Sequence, residues 1–301
     1  MPRSPLRPSS GSIAPSDRLR VEIARNVAAS LAEDIGSGDL TARLIPATAR
    51  ARATVIAREA AILCGTAWFE ATFAALSPTA TVDWHLRDGA AVFPGQTLCD
   101  IHAGARTLLT AERTALNFLQ LLSATATVTR RYVDAVAGTA ARIVDTRKTL
   151  PGLRLAQKYA VATGGGLNHR SGLHDGILIK ENHIIAAGGI RNALDAAREL
   201  APPGVPVEIE VESLDELQQA LVAGATMILL DNMSLAELRA AVRLAAGGAV
   251  LEASGGVGLS SVRAIAETGV DRISIGRLTK DVEALDLSLR FDGGHDGDAP
   301  E

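Results

Sequence analysis

The chain of 301 residues is 47% apolar and 21% charged, which excludes extended disorder and a fibrous repeat. Its 30 basic and 34 acidic residues give a net charge of −4, so the composition offers no overall reason to bind nucleic acid or a membrane surface. Two cysteines cannot form the disulfide framework of a small secreted protein.

The N-terminal part of the chain has a mixed pattern. Residues 1–15 are rich in Pro, Ser and Arg without an apolar run, so we expect a disordered tail and no secretory signal. Beyond it, the spacing predicts a helix, a glycine loop, two strands and a turn–strand–turn at 19–31, 33–41, 51–57, 80–86 and 88–98. The last pattern is typical of lipoyl-like folds, but it lacks the carrier lysine, so a purely structural role is expected.

The C-terminal half repeats one unit. A helix predicted over 113–136 leads into short apolar runs that each end in polar residues, at 143–144, 177–179, 207–211, 227–230, 250–251 and 273–275. Helix-like segments separate the last four runs, at 214–223, 235–246 and 261–268. This alternation predicts a parallel sheet, a barrel rather than an open sheet, with its site at the C-terminal strand ends. No segment is apolar and long enough for a bilayer, so we expect a cytoplasmic protein, and 292–301 should be a second disordered tail.

Basic residues concentrate between Arg142 and Arg191. This segment holds eight Lys or Arg against three acids, and three of the chain's four lysines. A solvated basic face is the ordinary explanation, but Arg147, Lys148 and Lys180 directly follow predicted strands. The glycines at 164–166 could let the backbone approach a ligand closely. We therefore predict an anion site, suited to a dicarboxylate or a sugar with more than one phosphate.

Two glycine-containing loops follow the last two strands. Ser254, Gly255 and Gly256 precede a helix, and Ser274, Ile275 and Gly276 end the next strand. Gly-Gly also closes many ordinary turns, but glycine amides at a helix start favour an anion. A phosphate between the last two strand loops is a recurring barrel arrangement, so we predict a phosphate site here.

Two carboxylates occupy corresponding positions at adjacent strands. Glu210 and Asp231 would face the basic mouth, where carboxylates plus substrate phosphates suit Mg²⁺. The alternative is that one of them pairs with a site lysine. Glu208 shares the face of Glu210 at strand spacing, so the pattern cannot choose between them. The residues thus predict an enzyme for a phosphorylated sugar and a second anionic substrate.

Nine stretches, in order along the chain, make the sequence recognisable. It resembles the quinolinate phosphoribosyltransferases in residues 33–41, 112–117, 145–149, 165–170, 179–183, 208–211, 230–232, 253–256 and 274–276. The resemblance covers about residues 17 to 290. It implies an α/β fold whose N-terminal domain, a sandwich-like α/β domain over 16–124, is joined by residues 281–291. The second domain, over 125–280, would be an incomplete, open α/β barrel with parallel strands.

The resemblance also implies the reaction. Quinolinate and phosphoribosyl pyrophosphate would give nicotinate mononucleotide, pyrophosphate and CO2, a step of de novo NAD synthesis. It implies a homodimer, or a higher homo-oligomer, in which Arg113 enters the partner's site. The implied quinolinate residues are Arg147, His169, Arg170 and Lys180, and Thr146 joins the substrate-binding set.

The resemblance assigns the remaining site residues to phosphoribosyl pyrophosphate and its Mg²⁺. These are Lys148, Glu210, Asp231, Ser254, Gly255, Gly256, Ser274, Ile275 and Gly276. Glu210 and Asp231 would be the metal ligands, and with Lys148 and Lys180 they form the predicted catalytic set.

Two other functions are weighed against this one. A paralogue such as the homologue associated with molybdate transport should differ at the substrate-side cations, yet Arg113, Arg147, His169 and Arg170 are all present. A non-catalytic phosphosugar-binding barrel would need the phosphate loops but not Glu210, Asp231 and Lys180 together.

Overall fold

The computed structural model describes residues 16–292, and it divides them into two compact units. One unit contains the residues up to Leu119 and those from Asp286 onward, and the other is Gln120–Leu285. Of the tails predicted at 1–15 and 292–301, all residues except Asp292 lie outside the described residues. Asp292, which we had placed in the second tail, is tied to the sheet, because its amide donates to the Arg52 carbonyl at 3.0 Å.

The chain before the first barrel strand forms helices and mostly antiparallel strands. In order they are α1 (Asp17–Ile35), β1 (Arg50–Ala57), β2 (Ala61–Ile62), α2 (Thr66–Leu76), β3 (Thr81–Trp84), β4 (Ala91–Val92), β5 (Thr97–Gly104) and α3 (Ala105–Ala135), with a short 3-10 turn at Ala42–Leu44. The predicted start of α3 at 113 was wrong by eight residues. The helix begins directly after β5, where the Ala105 amide donates to the Ala49 carbonyl at 2.8 Å.

The second unit alternates strands and helices. It contains β6 (Arg142–Val144), α4 (Arg154–Thr163), β7 (Ile177–Ile179), α5 (Glu181–Ala187), α6 (Ile190–Leu200), β8 (Val207–Val211), α7 (Leu214–Val222), β9 (Met227–Asp231), α8 (Leu235–Ala245), β10 (Val250–Ser254), α9 (Leu259–Ala266), β11 (Arg272–Ser274) and α10 (Arg277–Lys280). The strands form one parallel sheet in the order β6-β11-β10-β9-β8-β7. This confirms the open α/β barrel, because β6 and β7 are its two edges.

The last strand returns to the first unit. β12 (Leu287–Phe291) pairs antiparallel with β1 and completes a four-stranded sheet of order β12-β1-β5-β3. β2 and β4 form a separate two-stranded ribbon. The 88–98 segment thus supplies β4 and the turn into β5. Within 16–292, no helix is both long and apolar enough to cross a membrane.

Local sequence signals explain where the barrel helices begin. The Ser234 hydroxyl accepts from the Glu237 amide at 3.3 Å, and the Glu237 carboxylate accepts from the Ser234 amide at 2.8 Å. Ser213 accepts from the Glu216 amide in the same way at α7. Such caps satisfy amides that a helix start otherwise leaves unpaired. They place each helix directly after a strand end.

Alternation along the strands separates an apolar face from a polar one. Ile209, Val211, Ile228, Leu230 and Ile273 belong to the buried core that the sheet shares with helix residues Leu194, Leu217, Leu238 and Val262. Because successive strand residues point to opposite faces, Glu208, Glu210 and Glu252 point to the other face, the barrel interior. The interior is therefore unusually acidic for a sheet of buried strands.

Candidate active site

The loops that follow β6 and β11 lie against each other. The Lys148 amide donates to the Thr146 hydroxyl at 3.0 Å, and the Thr279 hydroxyl donates to the Lys148 carbonyl at 2.7 Å. A Cβ added at Gly276 would lie 3.0 Å from Lys148 Cδ and 3.5 Å from Thr146 Oγ1. Glycine at 276 thus permits the two loops to approach each other. Their approach brings Thr146, Lys148 and the Ser274–Ile275–Gly276 loop together, as the sequence predicted.

The ends of β9 and β10 are also joined. The register pairs Ser254 with Asp231, and the Asn232 amide donates to the Ser254 carbonyl at 3.0 Å. Gly255 has φ +101°, and a Cβ there would lie 2.9 Å from the Asn232 amide nitrogen. Backbone conformation and close approach both require glycine at this position. The predicted phosphate loop and Asp231 therefore lie at one strand edge.

Lys180 and Glu210 form an ion pair at the ends of β7 and β8. Lys180 Nζ donates to Glu210 Oε2 at 2.6 Å, with the lysine side chain 45% exposed and the carboxylate 10% exposed. This pairing is the alternative that we had weighed against metal binding for one of the two carboxylates. Asp231 is half-buried, and it accepts from the Asn232 side-chain amide at 2.6 Å.

Arg147 is half-buried, and its Nε has no hydrogen-bond partner among the described residues. A buried donor without a partner is costly unless a ligand supplies the acceptor. Arg113 is exposed on α3 in the other compact unit. Its expected place in a neighbouring site stays a prediction.

A histidine and two glutamates that the sequence did not bring together meet inside the barrel. His169 Nε2 lies 2.7 Å from Glu208 Oε2 and 3.9 Å from Glu252 Oε1. Glu208 and Glu252 are buried, and Glu252 has no exposed surface. Burial, reinforced by the neighbouring Glu208 charge and opposed by His169, raises the pKa of Glu252 to about 7. The apolar run at 250–251 predicts a strand that ends before Glu252, whereas β10 continues to Ser254 and contains Glu252.

A buried ion pair fixes the segment that carries His169. Lys158 Nζ on α4 donates to Asp145 Oδ1 at 2.5 Å and to the His169 carbonyl at 2.9 Å. Asp145 also accepts from the His169 amide at 2.8 Å and the Asn168 side chain at 2.7 Å. Burial raises the pKa of Asp145 and lowers that of Lys158, against their mutual attraction. Asp145 and Lys158 were in the predicted basic region but had no predicted role.

The expectation that the glycines at 164–166 admit a ligand was wrong for two of them. A Cβ at Gly164 would lie 2.5 Å from the Ala126 carbonyl, and one at Gly166 would lie 2.8 Å from Val161 Cγ1 and 3.0 Å from Thr129 Cγ2. These glycines let the turn after α4 pack against α3. That packing positions Leu167, which bridges to Val144 at the free edge of β6.

The structure gives Glu208 and Glu210, between which the pattern could not choose, different surroundings. Glu208 contacts His169 in the barrel interior, whereas Glu210 contacts Lys180 at the strand end. The carboxylate and amide oxygens around Asp231 and Glu210 are hard donors of the kind that Mg²⁺ prefers. The donor set therefore fits Mg²⁺ completed by substrate phosphates, with Glu210 shared between the lysine and any metal.

Two family models match almost the whole described chain. "Quinolinate phosphoribosyl transferase, N-terminal domain" matches residues 39–123, and "Quinolinate phosphoribosyl transferase, C-terminal domain" matches residues 125–290. The nicotinate-nucleotide pyrophosphorylase [carboxylating] of Mycobacterium leprae is 43% identical over 86% of this chain and 94% of its own. A probable nicotinate-nucleotide pyrophosphorylase [carboxylating] of Bacillus subtilis is 42% identical over 85% and 89%.

A solved structure shows the same architecture. The nicotinate-nucleotide pyrophosphorylase of Francisella tularensis is 46% identical and covers 90% of this chain and 96% of its own, with a TM-score of 0.88. Sequence and fold therefore agree over both compact units.

Proposed function

The chain belongs to the quinolinate phosphoribosyltransferase family, a family of enzymes of NAD biosynthesis, and from this premise we propose its reaction residue by residue. The enzyme transfers the phosphoribosyl group of phosphoribosyl pyrophosphate to quinolinate with decarboxylation. The products are nicotinate mononucleotide, pyrophosphate and CO2.

The observation that carries the proposal is the convergence of charged residues and glycine loops at the C-terminal strand ends. Thr146 and Lys148 lie against Gly276, Asp231 lies beside Ser254, and Lys180 pairs with Glu210. A non-catalytic phosphosugar-binding barrel needs the glycine loops but not the paired lysine and carboxylates. Their presence together favours an enzyme.

The base-binding side supplies several cations. Arg147 has its unpartnered buried Nε, Arg170 is half-buried, and Lys180 lies at the strand end. Quinolinate carries two adjacent carboxylates, and arginine can bind a carboxylate through two parallel hydrogen bonds. Two carboxylates neutralise these cations better than one, which favours quinolinate as the base.

The reaction needs no side-chain nucleophile. The pyridine nitrogen of quinolinate attacks the ribose carbon C1, the bond from C1 to the pyrophosphate oxygen breaks, and the leaving oxygen takes the electron pair. Lys148 stabilises the charge on the departing pyrophosphate, and the Glu210 carboxylate stabilises positive charge on the ribose. The ring nitrogen, now quaternary, withdraws electrons from the adjacent carboxylate, so CO2 leaves and a proton takes its place.

We infer that Asp231 and Glu210 would hold Mg²⁺ with the substrate phosphates. The ion, when bound, neutralises phosphate charge and orients the pyrophosphate as a leaving group. A homodimer in which Arg113 serves the partner's site, and a cytoplasmic location, belong to the same proposal.

The direct test is an assay of the purified enzyme with quinolinate, phosphoribosyl pyrophosphate and Mg²⁺. We expect nicotinate mononucleotide, pyrophosphate and CO2 in equal amounts. The double variant Lys148→Met/Asp231→Asn should be inactive, and Glu199→Gln, on the exposed end of α6, is the matched control. Absence of CO2 release from the wild type, or full activity of the double variant, would reject the proposal.

A further inference from the structure

Glu208 has no role in the reaction proposed above, yet it is buried against a residue of the base-binding side. Its carboxylate is 3% exposed, and Oε2 lies 2.7 Å from His169 Nε2. Its other oxygen, Oε1, has no hydrogen-bond partner among the described residues. A buried carboxylate is costly unless it is hydrogen-bonded or paired, so its contact with His169 calls for an explanation.

The hydrogen bonds of His169 determine which ring nitrogen carries the proton. The Arg170 amide, which can only donate, points at His169 Nδ1 at 2.8 Å. Nδ1 is therefore the acceptor, and the proton lies on Nε2, which donates to Glu208. Burial lowers the pKa of His169, but the Glu208 and Glu252 carboxylates outweigh it and raise the pKa. The amide at Nδ1 opposes a second proton, and Nε2 carries a proton in the neutral and in the charged ring alike, so Nε2 is the donor to Glu208 in both forms.

The same assignment argues against a metal ion at this cluster. His169, Glu208 and Glu252 each offer a ligand atom within 4.8 Å of the others. A metal at Nε2 would need the lone pair that Nε2 lacks here, and metal-bound histidines donate their other ring N–H. At Nδ1 the Arg170 amide already occupies that position. The cluster is therefore built for a hydrogen bond and not for coordination.

The hydrogen bonds continue from His169 to Arg170. With both ring nitrogens engaged, the ring orientation is set before any substrate binds. The backbone of His169 is held by Asp145 and Lys158, and the Arg170 guanidinium donates to the Gly176 carbonyl at 3.0 Å.

We propose that Glu208 is a positioning residue, which accepts the Nε2 hydrogen bond of His169 and thereby fixes the backbone at Arg170, the residue whose guanidinium would bind a carboxylate of quinolinate. This inference rests on the proposed function, because it assigns Arg170 to that substrate. Glu252 supports the arrangement, since it is fully buried beside Glu208.

The kinetic test compares two substitutions at one position. Glu208→Gln keeps an acceptor oxygen and should leave the KM for quinolinate within about threefold of the wild type. Glu208→Met keeps the volume and removes the acceptor, so the KM for quinolinate should rise about tenfold, the equivalent of one hydrogen bond of about 1.4 kcal/mol. The KM for phosphoribosyl pyrophosphate should stay within twofold in both variants, and Glu199→Gln is again the control.

A second readout needs no substrate. In the free enzyme with ¹⁵N-labelled histidine, assigned by His169→Phe, NMR should show protonated Nε2 and bare Nδ1 for His169. This pattern should persist in Glu208→Gln, and in Glu208→Met the Nε2 proton, which has lost its acceptor, should exchange with solvent at least about tenfold faster. Equal changes in both KM values, or no difference between Gln and Met, would overturn the inference while quinolinate turnover stands. Loss of quinolinate turnover in the wild type would instead overturn the proposed function, and the NMR result would still decide the tautomer.

Discussion

At the scale of single residues, the contacts of the barrel lysines indicate positions where lysine is needed and arginine would not serve. The chain has 30 basic residues and only four lysines. Lys148 lies against Gly276, Lys158 is buried against Asp145, and Lys180 pairs with Glu210. Three of the four are thus in defined contacts at or beneath the strand ends. A compact ammonium differs from a planar guanidinium in size and geometry, so these contacts are specific to lysine.

We expect Lys148→Arg and Lys180→Arg to lower kcat/KM by about tenfold or more although charge is kept. An arginine at 180 cannot reproduce the 2.6 Å contact between Nζ and Glu210 without displacing the carboxylate. Tenfold corresponds to about 1.4 kcal/mol of transition-state stabilisation. Lys280→Arg, at an exposed lysine, is the matched control. Turnover close to the wild type in both site variants would show that the lysines are incidental.

The raised pKa of the buried Glu252 predicts how the free energy of unfolding changes with pH. Its pKa is raised from 4.5 to about 7 by burial and Glu208, while His169, Ser274 and Arg272 partly offset the rise. A raised carboxyl pKa in the folded state means that the unfolded chain loses its proton first. The contribution of Glu252 to the free energy of unfolding therefore falls between about pH 4.5 and 7, by about 3 kcal/mol.

Glu252→Gln should remove this loss. Denaturant titrations at pH 5 and pH 8 should show that the variant gains stability relative to the wild type as the pH rises. If the difference between the two proteins is the same at both pH values, Glu252 does not titrate in this range in the folded enzyme.

At the scale of elements, strand ends were predictable and strand interiors were not. The polar residues within or after the ends of the apolar runs correctly placed Lys180, Asp231, Ser254 and Ser274 at strand ends, because parallel strands bring their carboxyl ends to one edge. The cluster of His169 with Glu208 and Glu252 depends on the segment 167–170 lying beside β6. Nothing in local spacing specifies that placement. A signal was present nonetheless, since charged residues within apolar strands are rare unless paired.

The glycines at 164–166 show a second limit of sequence reasoning. Glycine permits close approach to a ligand and to a neighbouring helix equally well. Only the positions of Ala126, Thr129 and Val161 show that Gly164 and Gly166 serve packing. The position of Gly255 and Gly276 beside the candidate site was predictable, by contrast, because each follows a strand at the C-terminal edge of the parallel sheet.

The link between α4 and the 167–170 segment can be tested by Lys158→Met. The substitution removes the donor to Asp145 and the His169 carbonyl and leaves a carboxylate buried without its partner. We expect a loss of about 3 kcal/mol in the free energy of unfolding, with Lys280→Met as an exposed control. A loss below about 0.5 kcal/mol would mean that the pair does not hold the segment in place.

At the scale of the whole molecule, the proposed unit of activity is a dimer with two shared sites. Arg113→Ala and Glu210→Ala should each be inactive alone. If Arg113 serves the partner's site, a mixed dimer has one site with both defects and one with neither. Random subunit exchange should then restore roughly a quarter of wild-type activity. If exchange is demonstrated by mass and no activity returns, Arg113 acts within its own chain.

The central claim is a barrel whose cations bind a base with two carboxylates, and base selectivity tests it most directly. Steady-state kcat/KM should be measured for quinolinate and for nicotinate, each with phosphoribosyl pyrophosphate and Mg²⁺. Nicotinate would leave half-buried cations without a carboxylate partner, and sites built to pair a polar group of the substrate reject an analogue that lacks it by about 10⁴-fold. The account predicts turnover of quinolinate with nicotinate at least about a thousandfold poorer, and comparable kcat/KM for the two bases would contradict it.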